Sequence, residues 1–348
     1  MDDNRNSFIC MSRSTDCMIA HFHCSGYNLL VVKDLSRKRQ VQRFGVCLSE
    51  KRFGEEEKMD IREIDQYAEE MRILNLRVCR GGEILLKRDW DGEMRRNQYS
   101  ASKSFTSAAV GIACREGLLS LDEKLCDVFA EEIPENPSEN LQKAVVKDLL
   151  TMCLGQKEGW LMGEQRPLME EEDWVRFCLS RPFEAEPGTA FVYNNAGPYL
   201  AGILVQRRAG CNLVDYLMPR LLSPLGIRRT VWEVDPQGFT FGAGGLFLSV
   251  TELMRFGQLL LQEGTWNGKQ LIPAEYIREA SCAQADNGAE GYGYLFWRGP
   301  YNSFRADGKY GQLAIVLPEK DAVIAINAES RDAGSMMKRC MDVIVPQL

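Results

Sequence analysis

Strand-like segments near both ends of the chain enclose a long helical middle, and this order strongly constrains the fold. Residues 76–90, LRVCRGGEILLKRDW, place two apolar runs around Gly81-Gly82, which predicts a β-hairpin. Four short apolar runs near the C-terminus predict an antiparallel meander: residues 291–297, 301–307, 311–317 and 322–328. Strands at both ends with helices between them predict one sheet that is closed from two distant chain segments.

The middle of the chain has apolar residues at helical spacing, and several of its segments end at glycine. Helices are predicted at residues 60–73, 103–117, 141–153, 170–180, 196–210, 213–227, 250–264 and 333–345. The fold class predicted is α+β, with an antiparallel sheet flanked by helices and an all-α lobe. Residues 56–98 and 240–348 would build the sheet lobe and residues 99–239 the inserted helical lobe, with the site in the cleft between them.

Residues 1–55 are predicted to form a separate N-terminal extension with strand-like runs at 28–34 and 41–49. The basic cluster at 36–43 is typical of a solvated loop. The extension could lengthen the sheet, cover the cleft or mediate self-association, and the sequence does not specify the oligomeric state.

Composition excludes several partners for this chain of 348 residues. The 42 basic residues against 49 acidic ones give a net charge of -7, which disfavours nucleic-acid binding. No apolar run reaches the length of about 18 residues that a membrane span needs. The twelve cysteines form no C-x-x-C pair, and the N-terminus lacks the apolar core of a signal peptide. We therefore expect a cytoplasmic protein.

Histidine is scarce, and this scarcity limits the possible chemistry. His21 and His23 are the two histidines, and no G-x-S-x-G motif occurs, so a Ser-His-Asp hydrolase is disfavoured. Cys17 and Cys24 flank the histidines, but the spacing is poor for a metal site. The sequence predicts no metal and no cofactor.

The stretch YSASKSF, residues 99–105, places Ser100 three residues before Lys103 at a predicted helix start. Residues three apart on a helix are neighbours, so the lysine can reach the serine hydroxyl. An ordinary helix start is the alternative, because Ser335 and Lys338 repeat the spacing without assigned meaning.

A second motif, Y-x-N, strengthens the catalytic interpretation. Lys103 acts as a base only when uncharged, and a nearby tyrosine can share its proton. Tyr193 and Asn195 lie in a turn before a predicted helix, within AEPGTAFVYNNAGPYL at 185–200. An asparagine helix cap beside a packed tyrosine is the alternative.

Together these stretches resemble the serine β-lactamases and penicillin-binding proteins, in particular the class C β-lactamase-related esterases and peptidases. The resemblance covers residues 60–330 through YSASKSFTSAAVGIACREGLLSLDEKL, EPGTAFVYNNAGPYLAGILV, YLMPRLLSPLGI, GAGGLFLSVTELMRFGQLLLQEG and GQLAIVLPEKDAVIAI. It implies that Ser100 is the acylated nucleophile, Lys103 its proton acceptor, Tyr193 the companion acid/base and Asn195 a substrate-binding residue. The Ser100 amide and a C-terminal edge strand would form the oxyanion hole.

The third family motif departs from its usual pattern. The stretch FRADGKYGQ, residues 304–312, lacks K-T-G, K-S-G and H-x-G. Arg305, Asp307, Gly308 and Lys309 are candidate substrate-binding residues there, and exposed turn charges are the alternative. We expect a serine hydrolase acting on a small ester or amide; a β-lactamase or D,D-peptidase acting on β-lactam-like substrates and an inactive ligand-binding scaffold stay open.

Overall fold

The computed structural model describes residues 9–14, 17–24, 27–34 and 59–348, and the chain divides into two compact units between Glu56 and Glu57. In the first unit, strands β1 (Ile9–Ser14), β2 (Cys17–Cys24) and β3 (Tyr27–Asp34) form an antiparallel sheet with β2 in the middle. The predicted strand at 41–49 and the basic cluster at 36–43 lie outside the described residues.

The second unit begins with α1 (Arg62–Tyr67) and a hairpin whose strands enclose Gly81-Gly82. Its strands are β4 (Ile73–Arg80), β5 (Glu83–Asp89), β6 (Arg96–Asn97), β7 (Phe247–Leu248), β8 (Thr265–Trp266), β9 (Lys269–Gln270), β10 (Trp297–Gly299), β11 (Ser303–Gly308), β12 (Gln312–Leu317) and β13 (Ala322–Ala328). The later helices are α2 (Ser102–Arg115), α3 (Leu125–Val128), α4 (Glu139–Lys143), α5 (Trp174–Ser180), α6 (Ala196–Ala209), α7 (Leu213–Leu217), α8 (Val250–Leu261), α9 (Ala274–Ser281) and α10 (Ala333–Ile344). Within the described residues, every helix is too short or too polar to cross a lipid bilayer.

The main sheet joins strands from two distant parts of the chain. Its order is β10-β11-β12-β13-β4-β5, and every neighbouring pair is antiparallel. The pair β13·β4 closes the sheet, with Ala322 opposite Arg80 and Ile326 opposite Leu76. The predicted α+β class, with distant strands in one sheet, is therefore confirmed.

Both faces of the sheet are covered, as β13 shows by its alternating side chains. Val323 and Ala325 belong to the larger core, which includes α8, while Ile324 and Ile326 belong to a second core with α1 and α10. Helix α8 lies close to the sheet because Gly257 has no side chain: a Cβ there would meet Val323 Cγ1 at 2.6 Å. The sheet is thus the middle layer between helices.

Two sequence predictions of secondary structure are wrong. The continuous helix at 141–153 is broken, because Ala144 and Val145 are extended and a 3₁₀ turn follows at Val146–Leu149. The Asp148 carboxylate accepts a hydrogen bond from the Val145 amide and begins that turn. The strand predicted at 291–297 begins only at Trp297, since the preceding residues, including Leu295 with φ 63°, form irregular turns.

Candidate active site

The chain enters α2 through a 3₁₀ turn at Tyr99–Ala101, which places Ser100 one turn before the helix proper. Helix α2 is buried along almost its whole length, because small residues such as Ala108 and Ala109 let neighbours approach. Amide groups at a helix start lack partners four residues earlier, so they can stabilise negative charge. The local sequence thus presents the hydroxyl on a rigid support.

Lys103 lies beside Ser100, as the spacing predicts. Its Nζ is 2.9 Å from Ser100 Oγ and 2.7 Å from the Ala243 carbonyl oxygen. The side chain is 1% exposed, and no carboxylate contributes to the shift of its pKa. Burial, aided by the positive charge of Arg166, lowers the pKa of Lys103 to about 7. A large fraction of this lysine is therefore uncharged near neutral pH.

Tyr193 closes the other side of the hydroxyl. The Ser100 side chain lies close enough to its phenol to oppose the rise of the phenol's pKa, and Lys103 Nζ lies 5.1 Å from the centre of its ring. The ring stacks on Trp297, with 5.5 Å between centroids. Burial raises the pKa of Tyr193 to about 12, and the charge of Asp307 adds to this effect. The phenol therefore keeps its proton at neutral pH.

Asn195 stands at the start of α6, but its side chain does not cap the helix. Its Nδ2 donates to the Leu161 carbonyl oxygen at 2.8 Å, and the neighbouring Asn194 accepts from the Ala196 amide instead. The buried Oδ1 of Asn195 has no hydrogen-bond partner within the part of the chain that the structure describes. Asn195 thus contributes to the cleft wall and carries a buried acceptor without a partner.

Residues 241–248 pass over the start of α2 and hold its polar groups. The Ala243 carbonyl accepts from Lys103, and the Gly242 carbonyl accepts from Thr106 Oγ1 at 2.7 Å. The Leu246 amide donates to Ser102 Oγ at 3.0 Å. The glycine-rich run GAGG at 242–245 is the sequence feature that could have drawn attention to this segment. Its contacts with Lys103 and Thr106 are made by backbone carbonyl groups, which the identity of the side chains does not reveal.

The third candidate motif lies on β11, at the edge left free beyond the short strand β10. Arg305 and Asp307 share one face, and Arg305 Nε donates to Asp307 Oδ2 at 2.7 Å. Burial raises the pKa of Asp307, while Arg305 opposes the shift. Lys309 is exposed beyond the strand, with Nζ 5.2 Å from the Tyr310 ring centre.

Gly308 brings this strand against the turn that carries Ser100. A Cβ at Gly308 would lie 2.3 Å from the Gln98 carbonyl oxygen, which also accepts a hydrogen bond from the Ala101 amide. A side chain at this position would displace either the strand or the turn. Glycine at 308 is therefore required by close approach of two backbones.

These groups line one cleft of about 830 Å³. Six of the eight predicted site residues line its wall: Ser100, Tyr193, Asn195, Arg305, Asp307 and Lys309. Gly308 does not line it, and Lys103 is buried behind Ser100. Sequence reasoning missed other lining residues, among them Asn97, Arg166, Glu233 and Trp297. Their separation along the chain gave no local motif from which to find them.

Among residues 59–348, no group of three or more His, Cys, Asp or Glu side chains could hold a metal ion. Around Ser100, the cleft brings together its hydroxyl, the Lys103 amine, the Tyr193 phenol and the Asn195 amide. This set is suited to nucleophilic attack on a carbonyl.

Comparison with known proteins identifies the family. The beta-lactamase family model matches residues 62–340, which is most of the chain. The chain belongs to the beta-lactamase family. The resemblance drawn from the five sequence blocks is thereby confirmed.

Individual relatives are distant. An uncharacterised protein of Alkalihalophilus pseudofirmus is 25% identical over 207 residues, covering 54% of each chain. A lovastatin esterase of Penicillium rubens is 29% identical over 150 residues, covering 37% of each chain. The chain thus spans about half or less of the length of these two relatives.

A solved structure from Bacillus anthracis, provisionally assigned as a 6-aminohexanoate-dimer hydrolase, superimposes with a TM-score of 0.70. It is 20% identical, and the match covers 81% of each chain. This likeness establishes the shared fold.

Proposed function

We propose that the protein is a serine hydrolase that cleaves a small ester or amide through an acyl-enzyme. The observation that carries the proposal is the contact of 2.9 Å between Ser100 Oγ and a buried Lys103 whose pKa is lowered to about 7. Family membership and the likeness to an esterase support the same reaction class.

In the first step, uncharged Lys103 takes the proton of the Ser100 hydroxyl while Oγ bonds to the substrate carbonyl carbon. The Ala243 carbonyl accepts one amine hydrogen, which orients the amine beside Ser100. Tyr193 is a poor base because its pKa is about 12, so we assign it the hydrogen bond to Oγ and proton delivery to the leaving group. The carbonyl oxygen becomes negative and is stabilised by backbone amides at the start of the helix.

In the second step, the carbon–leaving-group bond breaks as Tyr193 gives its phenol proton to the departing alcohol or amine. Protonated Lys103 then returns the proton it took from Ser100 to the phenolate, so that both groups regain their starting states. Water then attacks the acyl ester, loses a proton to Lys103 and releases the acid, and Ser100 regains its hydrogen. Asn195 Oδ1 is a candidate acceptor for a polar hydrogen of the substrate.

The alternative of a β-lactamase or D,D-peptidase is less well supported. Ala306 precedes Asp307-Gly308 on β11, so no lysine or histidine occupies the first position of a triplet ending at Gly308. The nearby cation of Arg305 is paired with Asp307 rather than free to bind a substrate carboxylate. A cytoplasmic location stays a prediction.

The test is covalent labelling of the full chain, read by intact-protein mass spectrometry. A fluorophosphonate should add one label to the parent protein and none to Ser100→Ala. A fluorescent penicillin should label the parent weakly or not at all if the protein is an esterase or amidase. Stable penicillin labelling would favour a penicillin-binding protein, and no fluorophosphonate labelling would favour the inactive scaffold and overturn the proposal.

A further inference from the structure

The residue before the nucleophile has an unusual backbone conformation. Tyr99 has φ 44°, in the left-handed region that residues other than glycine rarely adopt. Such a conformation is strained and persists only when its surroundings hold it. Its amide N–H donates to Asn97 Oδ1 at 2.8 Å. The side chain of Asn97 therefore fixes the turn that presents Ser100.

Asn97 is in turn held by a charged pair across the cleft. Its Nδ2 donates to Glu233 Oε1 at 3.4 Å, and Glu233 Oε2 accepts from Arg166 Nη1 at 3.1 Å. The guanidinium of Arg166 lies over the Phe241 ring, 4.2 Å from its centre. A continuous chain of contacts thus runs from the Tyr99 amide to the opposite wall.

Glu233 occupies a fixed place in this chain. Its amide donates to the Gly245 carbonyl oxygen at 3.1 Å. A Cβ at Gly245 would lie 2.5 Å from Glu233 Cβ, so the glutamate side chain passes directly over the glycine backbone. This backbone belongs to the run that also supplies the Ala243 carbonyl to Lys103. The glutamate therefore contacts both supports of the nucleophile.

We propose that Asn97, Glu233 and Arg166 form a positioning chain that holds the Tyr99–Ser100 turn in its reactive conformation. The inference rests on the proposed function, since it assigns these residues to the same site. They act through the turn and not on the substrate, so they are positioning residues. A small displacement of a reacting group can cost about 10²-fold in rate.

Arg166 has a second effect that provides an independent readout. Two ionisable groups face Lys103: Tyr193, which precedes α6, and Arg166, which begins the 3₁₀ turn Arg166–Leu168. Asp307 on β11 affects the pKa of Tyr193. The positive charge of Arg166 lowers the pKa of Lys103. Activity should fall at low pH because Lys103 becomes protonated, and we call this part of the pH profile the acid limb. Loss of the Arg166 charge should raise the pKa of Lys103 and so move the acid limb to higher pH, whereas loss of the Glu233 charge should not.

The experiment compares kcat, KM, the pH profile and the thermal midpoint for Asn97→Ala, Glu233→Gln, Arg166→Gln and Arg166→Lys, with p-nitrophenyl acetate as substrate. We expect kcat to fall about 10–100-fold in the first three variants, with KM changed less than about threefold. Arg166→Gln alone should shift the acid limb upward, and Arg166→Lys should restore the parent limb. Glu132→Gln is the matched control, because it breaks the 2.8 Å ion pair with Arg207 outside the cleft.

The proposal is wrong if the three variants keep kcat within about twofold of the parent. It is also wrong if the loss of activity is explained by a smaller folded fraction alone. Glu132→Gln provides the reference, because it shows how far activity falls when a variant is only destabilised. Failure of the proposed function is a separate result, since it would appear as no Ser100-dependent turnover or labelling in the parent protein.

Discussion

The two walls of the cleft hold their polar groups by different means. At the start of α2, Lys103 is 1% exposed, and its contacts are with Ser100, Tyr193 and a backbone carbonyl. On β11, Arg305 and Asp307 are partly exposed and pair with each other. The first wall suppresses the charge of a lysine by burial, while the second balances opposite charges in an ion pair.

We infer that the wall at the start of α2, the α2 wall, serves the chemical step, while the wall at β11, the β11 wall, serves the choice of substrate. Burial lowers the pKa of a lysine and so makes it available as a base near neutral pH. Substitutions in the α2 wall that expose Lys103 should therefore reduce activity. A partly exposed ion pair contributes little to stability and can vary with the substrate. The walls meet at Gly308, where strand and nucleophile turn are in contact.

The largest effect should come from the hydroxyl at the α2 wall. Ser100→Ala should lower kcat/KM by at least about 10⁴-fold and leave the fold intact, because loss of a nucleophile removes covalent catalysis. Ester hydrolysis and circular dichroism measure the two properties. Ser335→Ala is the matched control, since Ser335 has the same spacing to Lys338 on α10. Turnover by Ser100→Ala at the parent rate would contradict the assignment.

The buried amine should produce the next largest effect. Lys103→Met should lower kcat/KM by about 10²–10⁴-fold, which is the usual range for a positioned base. In the parent, kcat/KM should rise with pH and level off above about 7, as Lys103 loses its proton. A parent profile that is flat between pH 5 and 9 would exclude Lys103 as the base.

The same substitution should also change stability in a pH-dependent way. The folded protein holds the pKa of Lys103 well below its ordinary value, so burial of the charged form costs free energy that is fully present below about pH 7. Lys103→Met removes a cost on the order of a few kcal/mol. In urea unfolding, the free energy of unfolding of the variant should exceed that of the parent most below pH 7, and this excess should shrink as pH rises toward 10.5, the ordinary pKa of lysine. An excess that does not change with pH would contradict this prediction.

Contact between the walls can be tested at Gly308. Gly308→Ala should lower both the unfolding midpoint and kcat, the latter about tenfold, because the new Cβ would lie 2.3 Å from the Gln98 carbonyl oxygen. Gly92→Ala is the control for the loss of a glycine, since nothing lies within 4 Å of a Cβ there and its φ, like that of Gly308, is outside the positive region. Parent-like kcat in Gly308→Ala would show that the walls are independent.

The smallest effect is expected on the β11 wall. Asp307→Asn should change KM a few-fold and kcat less, because the ion pair with Arg305 is lost while Ser100, Lys103 and Tyr193 keep their contacts. Steady-state kinetics with neutral and cationic esters would measure the change. A fall in kcat as large as that of Lys103→Met would remove the distinction between the walls.

The sequence predicted the groups that lie close together in the chain or in a motif. Ser100 and Lys103 are one helical turn apart, so local geometry was sufficient to pair them. Asn97, Arg166 and Glu233 meet only because the chain folds, and no period or spacing relates them. Predicted boundaries failed at 141–153, where Asp148 favours a new turn over continuation of the helix.

The closure of the main sheet has a consequence for biosynthesis. Strand β4 pairs with β13, whose residues Ala322–Ala328 are synthesised about 250 positions later. Contacts between such distant segments form slowly, because a long intervening chain must first be brought together. The ribosome therefore releases the helical residues 99–239 before β13 is synthesised and can pair with β4. A nascent chain stopped short of residue 322 should carry Ser100 and Lys103 yet show no enzymatic turnover.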